Sequence, residues 1–158
     1  MTTPQSATIC PVLTLRVSRC VCAVPLAHVA EVMRPLPVEP LAGAPAGVLG
    51  MAVIRGKATP VIDLSVLLGD RAAAATASAR FVTIRAGQRA IALLVDAVLA
   101  IRTLARAELE ALPPLWETSH PSAVSALGTL DRELLIVLEA THLLPEDWHH
   151  AGEEGAAG

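Results

Sequence analysis

A repeat limits the possible folds of this chain more than any other feature. Leu13–Val32 (LTLRVSRCVCAVPLAHVAEV) and Val82–Ile101 (VTIRAGQRAIALLVDAVLAI) run in step without a gap, Leu13 against Val82 and Val32 against Ile101. Thr14 meets Thr83, Arg16 meets Arg85, Ala23 meets Ala92 and Val29 meets Val98, with apolar residues facing apolar residues throughout. Further on, Val61–Leu68 (VIDLSVLL) resembles Val137–Leu144 (VLEATHLL), with Asp63 opposite Glu139 and each segment closing on a leucine pair. The second spacing is wider by seven residues, which locates an insertion near 104–122, where Pro113-Pro114 and Pro121 mark a loop. Two copies, roughly 12–70 and 80–144, predict two small β units of about five strands each, barrel-like because closure removes exposed edges.

Local patterning supports strands. Val12–Val17 and Cys20–Val24 flank a Ser18-Arg19 turn and form a predicted hairpin. Pro25 suits the first turn of a short helix running to Ala30, followed by an extended Glu31–Arg34. The prolines in Pro35–Pro45 exclude regular structure there. Val48–Ile54 and Ala58–Ile62 read as the next strands, and Asp63–Leu68 as a short helix ending at Gly69. Arg71–Arg80 reads as a linker, residues 1–11 as a flexible leader and residues 145–158 as a flexible tail.

Composition excludes several functions. Aromatic residues are only 2% of a chain that is 53% hydrophobic, so the core is aliphatic. With Phe81, Trp116 and Trp148 as the only aromatics, a net charge of -3 and no basic stripe, nucleic acid is not an expected partner. The uncharged stretch Pro40–Ile54 is broken by proline and glycine and too short to span a bilayer, so no membrane insertion is expected. Cys10, Cys20 and Cys22 lack partners at zinc spacing and read as buried small hydrophobes in a reducing cytoplasm. His149-His150 lies in the expected tail with no preorganised third ligand.

No catalytic constellation emerges. Ser65 or Ser125, His28 or His142, and Asp63 or Asp96 supply the residue types of a nucleophile–base–acid set, but there is no G-x-S-x-G elbow. Phosphate-binding loops, H-E-x-x-H and C-x-x-C are missing, so no cofactor is expected. Asp63 and Glu139 stand at equivalent strand-to-helix junctions, and a repeated helix cap accounts for both. Arg55 stands apart, since the matching stretch of the second copy, Ala126–Asp131 (ALGTLD), shows no counterpart.

The motif order is informative in combination. A hairpin and short helix lead to Pro45 and Gly47–Gly50. Arg55-Gly56, Pro60–Leu64 (PVIDL), Leu68-Gly69, Val95-Asp96 with Val98, and Leu135–Leu144 follow. This order resembles the CheW-like family of bacterial chemotaxis adaptors over residues 12–144. The resemblance implies a mostly β fold of two SH3-like five-stranded β-barrel subdomains with short helices. It implies a non-enzymatic, cytoplasmic adaptor at receptor clusters, coupling chemoreceptor cytoplasmic tips to the regulatory domain of a chemotaxis histidine kinase. By analogy, receptor contact falls on Val53, Ile54, Arg55 and Gly56, with Val98 and Leu99 across a groove between the subdomains. Kinase contact falls on Met33, Pro37, Val38 and Leu41. The family usually reads G-V-I-N-L-R-G where this chain has Gly50–Gly56, which puts Val53 at the usual Asn. The competing readings are a similar scaffold in a non-motility chemosensory pathway and a small-ligand-binding β-barrel.

Overall fold

The computed structural model describes residues 9–69, 76–86, 88–105, 124–139 and 143. The expected leader (except its last three residues), the expected tail with His149-His150, the expected loop near 104–122 beyond Ala105, residues 71–75 of the expected linker, Trp116, His142 and, apart from Leu143, the expected helix after Glu139 fall outside those residues. Ten strands are formed among the described residues. The first half contributes β1 (Ile9–Val17), β2 (Cys20–Pro25), β3 (Val29–Met33), β4 (Val48–Ile54) and β5 (Lys57–Asp63). The second contributes β6 (Arg80–Ala86), β7 (Arg89–Val95), β8 (Ala97–Ala105), β9 (Val124–Leu130) and β10 (Glu133–Leu138). The helix expected after Pro25 is only a 3-10 turn, Leu26–His28, because β3 already begins at Val29 and claims the following residues for a ladder with β6. Among the described residues a single short α-helix, α1, covers Leu64–Leu67.

The strands form two five-stranded sheets, ordered β8-β1-β2-β10-β9 and β3-β6-β7-β5-β4. Substituting each strand by its counterpart five places along converts one order into the other. The pairing confirms this residue by residue. Leu13↔Val24 in one hairpin corresponds to Val82↔Leu93 in the other, and Val137↔Ala23 corresponds to Val61↔Ala92. The repeat does not, however, give one sheet per copy. Each sheet combines two strands of one half with three strands of the other. The physical cause lies in the parallel ladders: β2 takes β10 and β7 takes β5, pairings a local hairpin cannot make.

Even the irregularities are duplicated. Ala30 in β3 and Leu99 in β8 are the extra residues of equivalent bulges. Both are held by a buried threonine. Thr14 Oγ1 donates to Ala100 O at 2.8 Å, and Thr83 Oγ1 donates to Glu31 O at 3.2 Å. Leu49 in β4 and Ser125 in β9 form a second equivalent pair of bulges.

The core has three parts. Leu13, Leu15, Cys22 and Val24 of one central hairpin pack with Val82, Ile84, Ile91 and Leu93 of the other in a shared core between the sheets. The opposite face of each sheet has its own cluster, Val12, Ala23 and Val137 in one and Phe81, Ala92 and Val61 in the other. Strands buried on both faces read as nearly continuous apolar runs, which explains the composition of β1, β2, β6 and β7.

Candidate partner-binding surface

The turns that end β4 and β9 dominate the surface geometry. Arg55 and Gly56 both have positive φ (52° and 77°), as do Asp131 and Arg132 (48° and 70°). Two consecutive left-handed residues are the signature of a tight hairpin whose twist matches the strands it joins. The register makes the turns equivalent, Ile54↔Lys57 closing one and Leu130↔Glu133 the other. Arg55 therefore has a counterpart after all. It is Asp131, the last residue of the matching stretch, and its charge is opposite.

Each turn residue forms an ion pair across its sheet. Arg55 Nε and Nη2 donate to Glu31 Oε2 and Oε1 at 2.7 and 2.9 Å, a bidentate fork. Glu31 is on β3, and β3 and β4 are the two edges of their sheet. Arg102 Nη2 donates to Asp131 Oδ2 at 3.0 Å, joining β8 to the turn after β9, again the two edges of one sheet. Both sheets are thus curled far enough for a side-chain bridge to span the gap left by the backbone ladder. The hydrogen bond from Arg55 holds the Glu31 carboxyl below the usual carboxylate range, against a smaller opposing effect of burial, and Glu31 raises Arg55 in turn. A lowered carboxylate pKa means the pair contributes at neutral pH and is lost as pH falls through the folded value.

The candidate receptor residues divide by exposure. Val53 is 69% exposed, while Ile54 is 8% exposed and packs into the core of its sheet beside Phe81. Arg55 and Gly56 are exposed at the turn. On β8, Val98 packs against the shared core and Leu99, the bulge residue, stands out at 46%. Ile101, at 61%, is a neighbour that sequence reasoning missed. Its apolar character suggested a core position, but β8 is an edge strand and leaves it uncovered among the described residues.

The candidate kinase residues divide in the same way. Met33 and Val38 pack against the core of the second sheet, whereas Pro37 and Leu41 are exposed, together with Leu36, which the sequence reading did not select. The proline-rich segment is not structureless. Glu39 pairs with Met51 of β4 through N–H···O bonds of 2.8 and 2.9 Å in both directions.

Asp63 is 4% exposed and caps α1. Its Oδ1 accepts the Ser65 backbone N–H at 3.1 Å and the Ser65 hydroxyl at 2.6 Å. Glu139 follows β10 at the equivalent position, half-buried. Asp96 Oδ2 accepts the N–H of Ser18, whose φ of 55° marks the β1–β2 turn, at 2.6 Å. Among the described residues, no group of three or more His, Cys, Asp and Glu side chains is placed to hold a metal ion, and no helix is long and apolar enough to cross a membrane.

Comparison with known proteins matches the description "CheW-like domain" over residues 11–147. The chain is 28% identical to the chemotaxis protein CheW of Rhizobium meliloti over 115 residues, covering 73% of this chain and 74% of that one. It is 26% identical to the probable chemotaxis protein CheW of Rhizobium etli over 110 residues, 70% of this chain and 71% of that one. Its fold is similar to the crystal structure of the scaffolding protein TtCheW from Thermoanaerobacter tengcongensis, with a TM-score of 0.73 at 21% identity, over 82% of this chain and 88% of that one. With the motif order, the strand-exchanged pair of sheets and a family match over nearly the whole length, the chain belongs to the CheW-like family.

Proposed function

We propose that this chain is a non-enzymatic chemotaxis adaptor, coupling chemoreceptor cytoplasmic tips to the regulatory domain of a CheA-type histidine kinase. It would act in the cytoplasm at receptor clusters. The observation that carries this reading is the Arg55 turn. A guanidinium held in a bidentate fork by Glu31, with Val53 exposed two residues before it, is an ordered recognition element rather than a loose surface cation. A receptor tip is a helical hairpin, and an apolar ridge flanked by a fixed cation suits an amphipathic helix laid against it. Val53, Arg55 and Gly56 supply the contact on one sheet and Leu99, supported by Val98, that on the other. Ile54 acts from below as packing.

Kinase contact is assigned to the proline-rich segment bridged to β4, where Pro37 and Leu41 are exposed and Met33 and Val38 pack on the sheet core. The test is co-purification with both partners. The wild-type chain should retain receptor tip and kinase regulatory domain at micromolar concentration, and Arg55→Glu should lose the receptor tip at moderate salt. Unchanged receptor capture by Arg55→Glu would refute the placement, and no capture of either partner would refute the adaptor role. A scaffold in a non-motility chemosensory pathway would show the same binding without a swimming phenotype on deletion.

A further inference from the structure

Gly50 occupies an unusual position. Its φ is +146°, a conformation that L side chains rarely adopt, and it follows the Leu49 bulge in β4. The three heavy atoms nearest to a Cβ built on it all belong to the proline-rich segment: the carbonyl oxygen of Glu39, its carbonyl carbon at 2.7 Å and Pro40 Cα at 2.9 Å. The obstruction therefore comes from the segment lying over β4, not from the sheet. One residue later, Met51 exchanges both backbone hydrogen bonds with Glu39. No other isolated bridge pairs with a named strand among the described residues, so this contact ties the middle of the segment to the edge of the sheet.

On either side of the tie the side chains diverge. Val38 turns down onto the sheet core, while Leu36, Pro37 and Leu41 face out. Without the tie, a segment rich in proline and alanine has few contacts to define the placement of these three residues, and ordering them on binding would cost affinity. The bare Gly50 backbone is what allows the close approach.

We propose that Gly50 is a positioning residue: lacking a Cβ, it lets Glu39 dock on Met51 and so holds Pro35–Pro45 as a fixed strap that presents Leu36, Pro37 and Leu41 to the kinase regulatory domain. The presentation role rests on the kinase contact proposed above, whereas the anchoring role stands on the geometry alone. The strap also covers part of the β4 edge, satisfying the Met51 N–H and carbonyl that would otherwise be open to another chain.

Two variants reach the tie from opposite sides. Gly50→Ala introduces the blocking Cβ on the sheet, and Glu39→Pro removes the N–H donor on the strap. Amide exchange in the full chain should show the Met51 amide losing protection at least tenfold in both variants. The amides of the β6–β7 hairpin should keep theirs, which separates strap release from general unfolding. Binding of the isolated kinase regulatory domain should fall at least tenfold in both, with receptor-tip binding within twofold of wild type. A protected Met51 amide in Gly50→Ala overturns the anchoring role. Released Met51 with wild-type kinase binding in either variant overturns the presentation role. A wild-type chain that does not bind the regulatory domain overturns the adaptor reading and the presentation role with it, while the exchange data still decide the anchoring role.

Discussion

Removing the Asp63 carboxylate tests whether the strand-to-helix junction is the structural joint described here. Its Oδ1 accepts two hydrogen bonds, from the Ser65 N–H and hydroxyl, in surroundings where both residues are nearly inaccessible to water. Loss of a helix cap alone costs about 0.5–2 kcal/mol, and a buried hydrogen bond to a charged acceptor contributes about 1.5–3 kcal/mol. The two bonds share one oxygen and do not add fully, so Asp63→Ala should destabilise by about 2–4 kcal/mol. Asp63→Asn keeps a carbonyl acceptor and should cost about 1 kcal/mol. With a urea dependence of about 2 kcal/mol/M, the alanine variant should unfold about 1–2 M earlier. A double-mutant cycle with Ser65→Ala should return a coupling of at least about 1 kcal/mol. If Asp63→Ala shifts the midpoint by less than about 0.3 M, or if the cycle shows no coupling, the cap does not hold the junction and Asp63 needs another explanation.

Two further predictions concern single residues. Arg132 has φ 70° and a side chain, a backbone state disfavoured by about 1–2 kcal/mol for L residues, so Arg132→Gly should stabilise the chain by about 0.5–1 kcal/mol after the extra unfolded-state entropy of glycine is offset. A lower urea midpoint would mean that the Arg132 side chain makes a contribution exceeding that strain. Burial, with a smaller contribution from Cys20, pushes the Cys22 thiol up to about 12, so it should resist an aromatic disulfide reagent in the native state while exposed Cys10 reacts. The folded chain then keeps a proton that the unfolded chain loses above about pH 9. Stability should accordingly fall with rising pH between that value and about 12, and a Cys22→Ala variant should lose that part of the alkaline slope.

The two hairpins were legible because strands buried on both faces leave a continuous apolar signal, and because the copies agree without a gap from Leu13 to Val32. Thr14 and Thr83, matched polar residues within that signal, mark the pair of buried hydroxyls that hold equivalent bulges. Strand exchange was not legible, since alignment of two copies establishes their likeness but not which copy a strand pairs with. The counterpart of Arg55 in the second copy was missed for a chemical reason. Asp131 carries the opposite charge to Arg55, and its own partner Arg102 aligns with Met33 rather than with Glu31, so a comparison by residue type reads both positions as mismatches. The turn at Asp131-Arg132 is also a weak sequence signal, because neither residue is glycine. Ile101 was obscured by its position, as an isoleucine in an apolar run looks the same on an edge strand as on a central one. The strap escaped notice because prolines argued against a strand, and a single two-bond bridge between them leaves no periodicity.

Strand exchange has a consequence for the order in which the chain can complete its structure during synthesis. The sheet β3-β6-β7-β5-β4 uses residues no later than Val95, so all of its strands exist once the first three-fifths of the chain has emerged. The other sheet needs β8 beside β1 and β10 beside β2, and β10 ends at Leu138. The β1–β2 hairpin is the first made and has the longest wait for its neighbours. Once the β6–β7 hairpin has emerged, its apolar face is available to cover the β1–β2 hairpin, the same surface that forms the shared core in the finished protein.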